Sequence, residues 1–309
     1  MKVLITGGAG FIGSHVADGY LAKGLEVVIV DDLSRGARDN VPAGARFQRV
    51  DLRKRAALEK IFAQEKPDVI NHHAAQIDVR KAVREPLFDA ECNILSSIHL
   101  LELAVQHKVK RFIYASTGGA IYGEPETLPA DEQTPVLPIT PYGISKHTVE
   151  HYLFLYQKLY GLPYAVLRYG NVYGPRQSPK GEAGVVAIFC QQMLQKVTPT
   201  IYGDGKKTRD YIEVHDVVRA NIKALTHGAG GIFNIASGMA TTDYEVFRTV
   251  RDALGVRGIE PNYAPKRPGE VDHIVLDVSR ARSGLAWRPQ VGFRQGIRKT
   301  VDWFKARLR

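Results

Sequence analysis

Tyr142 and Lys146 are the residues whose types and spacing most directly suggest chemistry. They belong to the run Thr140-Pro141-Tyr142-Gly143-Ile144-Ser145-Lys146, which reads as a helix start with Thr140 as N-cap and Pro141 at the first helical position. On a helix the two side chains then stand one turn apart on one face. A phenol beside an ammonium is a means of making phenolate near neutral pH. Its reference pKa of about 10 must fall by ~3 units for half-ionisation at pH 7, about 4 kcal/mol of differential stabilisation. The lysine charge and the helix N-terminus both act in that direction. The spacing alone is common and suits a surface helix equally well, so the surrounding elements must decide.

A second run, Thr6-Gly7-Gly8-Ala9-Gly10-Phe11-Ile12-Gly13, follows an apolar stretch and opens a helical pattern. Both G-x-G-x-x-G (Gly8, Gly10, Gly13) and G-x-x-G-x-x-G (Gly7, Gly10, Gly13) can be read in it. Glycine allows the tight turn, the approach of backbone N–H groups to a pyrophosphate, and close helix–strand packing. Asp31 ends the next apolar run, 18 residues past Gly13, where a carboxylate binds a ribose 2′-OH. A carboxylate there repels a 2′-phosphate, so NAD is expected rather than NADP. Asp51-Leu52, just past the third run, would cap the adenine. A positively charged nicotinamide would add its own field to those lowering the Tyr142 pKa.

The elements that must position these groups alternate regularly. Residues 2–6, 26–30, 46–50, 68–73, 111–115 and 164–168 read as strands. Helical patterns cover 11–23, 53–64, 80–107 with an interruption at Pro86, and 142–160. Apolar strands separated by helices predict an α/β fold, a Rossmann-type doubly wound parallel sheet covered on both faces. After Gly170 the rhythm breaks into Gly/Pro-rich loops, with helices over 183–196, 216–226, 242–254 and 293–307. Gly174-Pro175-Arg176 and Arg267-Pro268-Gly269 set arginine close to glycine, as a phosphate-binding surface would. The expected division is an NAD-binding domain over 1–169, also receiving segments from about 210–240, and a smaller C-terminal substrate-binding domain, mainly 170–309.

Composition narrows the partners. With 309 residues, 44% hydrophobic and 24% charged, the chain has ample material for a large core. No run of 18 apolar residues suggests a membrane span, and the start lacks the pattern of a cleaved leader. The two cysteines, Cys92 and Cys190, lie in apolar helical patterns and read as buried free thiols of a cytoplasmic protein, with no metal site. The net charge is +10, yet residues 1–160 hold 19 basic and 19 acidic side chains against 23 and 13 in the remainder. No nucleic-acid module accompanies that basic half, so a small polyanionic substrate is expected.

Taken together, these runs make the chain resemble the extended short-chain dehydrogenase/reductase family, and within it the nucleotide-sugar epimerases of the UDP-glucose (UDP-galactose) 4-epimerase branch. Besides the two runs, the resemblance rests on Asp51-Leu52, His73-Ala74-Ala75, Asn93, Ala115-Ser116-Thr117 leading to Tyr122-Gly123, the stretch Arg168 to Arg176, Arg209-Asp210-Tyr211 and Arg267 to Glu270. It spans essentially the whole chain. The resemblance implies that NAD stays bound and that Tyr142 takes the sugar 4-OH proton as hydride leaves C4. The 4-keto sugar then turns over and takes the hydride back on its other face. Lys146 would hold the nicotinamide ribose, and Thr117, with Ser116 as the alternative, would hydrogen-bond the 4-oxygen. Implied cofactor contacts are Gly7, Gly10, Phe11, Ile12, Gly13, Asp31, Asp32, Asp51, Leu52, Ala74, Ala75, Asn93, Tyr142, Lys146 and Tyr169. Asn171, Arg209, Arg267 and Glu270 would hold the UDP portion.

The family usually has three residues between its hydroxyl residue and the tyrosine of the following Tyr-Gly. Here four separate Thr117 from Tyr122, and a one-residue bulge is expected to absorb the difference. Related dehydratases carry Asp-Glu directly after that hydroxyl; Gly118-Gly119 stands here, which disfavours elimination. Ile274 occupies the place of a far-wall residue and leaves UDP-N-acetylhexosamines and UDP-uronic acids as alternative substrates. A non-catalytic dinucleotide sensor would suit the fold but has no use for a phenolate. Ile94, Ile98, Leu101, Tyr152, Leu153, Phe154, Leu155 and Tyr156 make helices 93–107 and 142–160 apolar beyond one face. Related enzymes pair these helices between subunits, so a homodimer is expected.

Overall fold

The structure, a computed structural model, describes residues 1–180, 184–267 and 271–307. Its strands are β1 (Lys2–Thr6), β2 (Glu26–Asp31), β3 (Arg46–Arg49), β4 (Val69–His72), β5 (Arg111–Thr117), β6 (Tyr164–Tyr169), β7 (Asn171–Tyr173), β8 (Thr200–Tyr202), β9 (Thr208–Glu213), β10 (Gly231–Ile235), β11 (Ala240–Thr242) and β12 (Asn262–Ala264). The helices are α1 (Phe11–Leu21), α2 (Arg55–Glu65), α3 (Val79–Arg84), α4 (Pro86–Ala90), α5 (Ser96–Gln106), α6 (Pro141–Tyr160), α7 (Val185–Leu194), α8 (Val214–Ala224), α9 (Asp243–Leu254), α10 (Ser279–Leu285) and α11 (Phe293–Arg307).

Seven parallel strands form one sheet in the order β10-β6-β5-β4-β1-β2-β3. Its interior strands are apolar on both sides because both sides are covered. Val3 and Ile5 of β1 point into a core shared with Val16 and Tyr20 of α1 and Val217 of α8. Leu4, between them, points the opposite way, towards Phe62 of α2, Leu100 of α5 and Val149 of α6, as the two-residue period of a strand requires. A third core, including Phe189, Met193, Phe247, Ile297 and Phe304, fills the space among α7, α9 and α11. The strand order reverses between β1 and β4, where an open α/β sheet leaves a crevice at its carboxyl edge.

The expected helix 80–107 is instead four pieces. Pro86 stands at the start of α4, where its missing N–H would have interrupted a longer helix. A π-helical turn, Glu91–Leu95, then joins α4 to α5. Asn93 lies in that turn at 2% exposure, and Cys92 beside it is half-buried rather than buried. The ladder between β5 and β6 runs unbroken through Ser116↔Arg168 to Thr117↔Tyr169, so the extra residue before Tyr122 lies beyond the ladder, in the turn after Thr117.

Candidate active site

The glycine run turns sharply between β1 and α1. Gly7 has φ +69°, and a Cβ there would stand 2.6 Å from the Ala74 nitrogen. A Cβ at Gly13 would stand 2.3 Å from the Gly7 oxygen. Both positions therefore demand glycine on steric grounds. Helix α1 begins with Ser14 N–H donating to the Gly10 oxygen and has no acid in its first turn. The N–H groups of Phe11, Ile12 and Gly13 precede the first helical donor and are free to meet an anion. Replacing Gly13 with alanine is expected to abolish dinucleotide binding, measured by titration, because the added methyl separates α1 from the turn.

Asp31 is 8% exposed at the end of β2. One carboxylate oxygen accepts from Ala9 N–H at 3.0 Å and the other from Leu33 N–H at 2.8 Å. Each oxygen keeps a lone pair for a ribose hydroxyl. Burial raises the carboxyl pKa, and the Leu33 and Ala9 N–H groups oppose the rise. Asp32 turns to Ser34, and Arg35 pairs with Asp78 at 3.2 Å. Arg53 grips Asp51 and holds its carboxyl below the usual range. Leu52 joins the core.

The loop after β4 forms the other wall. Ala74 N–H donates to Thr6 Oγ1 at 3.2 Å, and Ala75 follows. Asn93 grips the loop as a backbone strand would: its Oδ1 accepts from Gln76 N–H at 2.8 Å, and its Nδ2 donates to the Gln76 oxygen at 3.0 Å. Asp89, 1% exposed, accepts from Asn93 Nδ2 and, at 2.6 Å, from Ser145 Oγ. That pair of bonds fastens the loop to α6. Sequence reasoning missed Asp89, which reads as an ordinary surface acid beside Pro86.

Thr140 caps α6 as expected, accepting from Gly143 N–H. The helix start packs tightly, since a Cβ at Gly143 would stand 2.5 Å from the Ala120 oxygen in the turn after Thr117. Lys146 is 3% exposed; its Nζ donates to the Ala115 oxygen at 2.8 Å and lies 5.9 Å from the Tyr142 ring centre. Burial lowers its pKa to about 8 against the attraction of Asp89 and Glu150. Within the chain itself, burial and the Asp89 charge push the Tyr142 pKa up; the expected depression also counts a nicotinamide charge, which the chain does not supply.

Thr117 is half-buried at the end of β5, in register with Tyr169. Tyr169 stacks on His73 with ring centres 6.0 Å apart, and its hydroxyl accepts from Asn221 Nδ2 at 2.8 Å. Burial and the Lys146 charge bring the His73 pKa down to about 3, so this floor is uncharged. Ser116 faces the other side of the strand. Its hydroxyl donates to Glu150 Oε1 at 2.6 Å, and Arg168 clasps the same carboxylate from β6. Burial works against the ionised Glu150, but the His147 imidazole 3.6 Å away and the bonds from Arg168 and Ser116 prevail and hold its pKa low. Ser116 thus has a partner behind the site.

The remaining expected contacts lie in the C-terminal part. Asn171 is on β7, with its Oδ1 at the point closest to Gly119. Arg209 on β9 donates to the oxygens of Thr208 and Asp272. The Arg267 guanidinium lies 3.6 Å over the Tyr202 ring, while Glu270 falls outside the described residues. Ile274 is 2% exposed and belongs to the core. Arg176 reaches Asp18 and Ser14 of α1. Arg219, Lys223, Arg282 and Arg288 line a separate cavity of about 270 Å³ on α8 and α10, which accounts for part of the basic excess.

A pyrophosphate cradle at the switch point, with a phenol and an ammonium on the adjoining helix, defines a Rossmann-class enzyme that moves hydride and proton together. The sequence profile of the NAD dependent epimerase/dehydratase family matches residues 3–236, and the chain belongs to that family. It is 42% identical over 310 residues to a UDP-glucose 4-epimerase of Mycolicibacterium smegmatis, covering 99% of each chain. Among solved structures it resembles the UDP-glucose 4-epimerase of Thermotoga maritima with UDP-glucose (TM-score 0.98, 45% identity, 100% of both chains). It also resembles the Thermus thermophilus UDP-glucose 4-epimerase in complex with NAD (TM-score 0.94, 47% identity, 99% of both chains).

Proposed function

We propose that the protein interconverts UDP-galactose and UDP-glucose by oxidation and reduction at C4 of the sugar. The carrying observation is the space after Thr117. A Cβ at Gly118 would stand 2.3 Å from Leu276 Cδ1, and one at Gly119 3.2 Å from Asn171 Oδ1. Gly118 and Gly119 stand where a dehydratase carries its acids, and a Cβ at Gly118 would crowd Leu276, so neither position offers the keto sugar a group to drive loss of water. The relatives' names agree with this reading.

Bound NAD supplies a reversible hydride acceptor. Tyr142 Oη accepts the 4-OH proton as the C4–H bond breaks and returns it when the bond re-forms. Lys146 stays cationic beside it and donates towards the ribose, anchored meanwhile by the Ala115 oxygen. Thr117 Oγ1 donates to the 4-oxygen. Tyr169 and His73 provide a flat, uncharged floor, and Asp31 holds the adenosine ribose. Asn171, Arg209 and Arg267 hold the uridine diphosphate, whose two negative charges match the basic C-terminal half.

Incubation with UDP-galactose tests the reading: UDP-glucose should accumulate to equilibrium with no added oxidant. A keto sugar as the released product, or no conversion by NAD-loaded protein, would overturn it. Thr117→Val is expected to lower kcat by ~10-fold or more. Ser116→Ala should change kcat little and cost about 1 kcal/mol of stability through the Glu150 bond. The reverse ranking in a side-by-side assay would assign the hydroxyl to Ser116.

We infer a homodimer and a reducing, cytoplasmic setting. Both cysteines are free thiols. Leu101, Leu153 and Tyr156 are spent on the core, but Leu95, Ile144, Phe154, Leu155 and Leu159 are 51%, 51%, 53%, 43% and 61% exposed along α6 and the π turn. An uncovered apolar stripe of that kind suits an isologous contact. Light scattering at micromolar concentration should give twice the chain mass; a monomer mass would refute the dimer.

A further inference from the structure

Four cations converge on the cavity beside α8 and α10, away from the catalytic groups. Arg219 and Lys223 stand one turn apart on α8, Arg282 comes from α10, and Arg288 from the segment after it. With Trp287 they line about 270 Å³. Among the described residues one acid meets them. Asp216, fully buried, contacts Arg219, and its oxygens already accept from the N–H groups of Gln290 and Val291 at 3.0 Å each. Lys223, Arg282 and Arg288 enter no ion pair among the described residues.

The fold sets these positions before any ligand arrives. Ala286 takes a left-handed conformation, φ +48°, at the end of α10. The chain then returns along α8, where the Trp287 indole N–H donates to the Asp216 main-chain oxygen at 2.9 Å. Arg288 is thereby held between two anchors, Trp287 and Gln290, both tied to Asp216. On α8 the like charges of Arg219 and Lys223 at i and i+4 repel, a cost that a shared anion turns into attraction.

We propose that this cavity binds a compact polyphosphate, recognising the phosphate chain and leaving any group it carries outside. Its volume falls below the roughly 300–1,000 Å³ of pockets that enclose a whole drug-sized ligand. Converging guanidinium and ammonium groups match the charge and the oxygens of a pyrophosphate or triphosphate. A local, concave cluster differs from the extended basic stripe that tracks a nucleic-acid backbone. The cavity is also apart from the other functional surfaces. Helix α8 turns its opposite face to the catalytic crevice, where Asn221 Nδ2 donates to the Tyr169 hydroxyl at 2.8 Å. Val217 of α8 and Leu285 of α10 pack in the core on one side of the sheet, whereas α6 packs in the core on the other. A second copy docked on α6 therefore leaves the cavity open.

Inorganic triphosphate is titrated calorimetrically into NAD-loaded protein at about 0.15 M salt, with and without saturating UDP-glucose. Arg282→Ala and Arg288→Ala are compared with wild type. Both side chains are exposed, so both variants should keep the wild-type melting temperature. Wild type should bind at about 10–100 μM, each variant at least about fivefold more weakly, and UDP-glucose should change neither. ATP should bind as tightly as triphosphate, since the phosphates carry the recognition. Wild-type binding weaker than millimolar, a smaller loss in either variant, or displacement by UDP-glucose would overturn the proposal. A DNA duplex that binds more tightly than triphosphate, and loses affinity in the same variants, would overturn it in favour of nucleic acid.

Discussion

Tyr142→Phe should retain its fold and its bound NAD yet lose epimerisation of UDP-galactose by 10²–10⁴-fold, the usual contribution of a general acid–base residue. The ring stands at the start of α6 with the Lys146 ammonium 5.9 Å from its centre, and phenylalanine keeps its shape. What disappears is the phenolic oxygen proposed to exchange a proton with the sugar. The measurement is kcat at saturating UDP-galactose, with NAD content read after denaturation. A near wild-type rate would place the base elsewhere. The structure adds a condition. Because burial and the Asp89 charge push the phenol pKa up in the protein alone, ionisation of Tyr142 should be detectable by ultraviolet difference spectra at lower pH in the NAD⁺-loaded protein than in the stripped one.

Lys146→Met should be less active, retain NAD less firmly, and be more stable. The lysine pKa is about 8 in the folded chain against 10.5 for an ordinary lysine, a gap corresponding to about 3 kcal/mol. The unfolded chain therefore holds that proton more tightly between these values, and wild-type stability rises as pH climbs from 8 to 10.5. Below pH 8 the full cost of burying the cation is present. Methionine removes that cost and forfeits the bond from the charged ammonium to the Ala115 oxygen, worth about 1.5–3 kcal/mol. Stripped Lys146→Met should thus exceed wild type by up to about 1.5 kcal/mol at pH 7 in urea unfolding. Its advantage should shrink above pH 8. A variant less stable than wild type at pH 7 would show that the Ala115 bond and the Asp89 and Glu150 charges outweigh burial.

The parts of the fold that were legible in the sequence are those with long-range periodicity. Strands β1 to β6 and the helices α1, α2, α6, α9 and α11 announce themselves through apolar runs, caps and breakers, whereas β9 and β10, within the loop-rich part after Gly170, do not. The strands β7, β8, β11 and β12 span three residues each, too few for a two-residue period to register. The π turn could not be read because its extra residue has no compositional mark. Of the site, the groups that meet cofactor or sugar stood in recognisable runs, because their chemistry dictates both type and spacing. The braces did not. Asp89, Glu150, Asn221 and Arg168 acquire their roles only when strands and helices distant in sequence are brought together. Ser116 and Thr117 look alike as text and differ by which side of β5 they face.

The closure around Gly118 also bears on how enzymes of this kind diverge. Acquiring an acid after Thr117 is not a single substitution here, because Leu276 occupies the space its Cβ would take. An aspartate at 118 alone would displace a fully buried leucine, and shortening Leu276 alone would open a void in the core. Each change is expected to be harmful by itself and less so with the other. A route from this pocket to one that eliminates water therefore crosses a valley, and the order of mutations decides whether it can be walked.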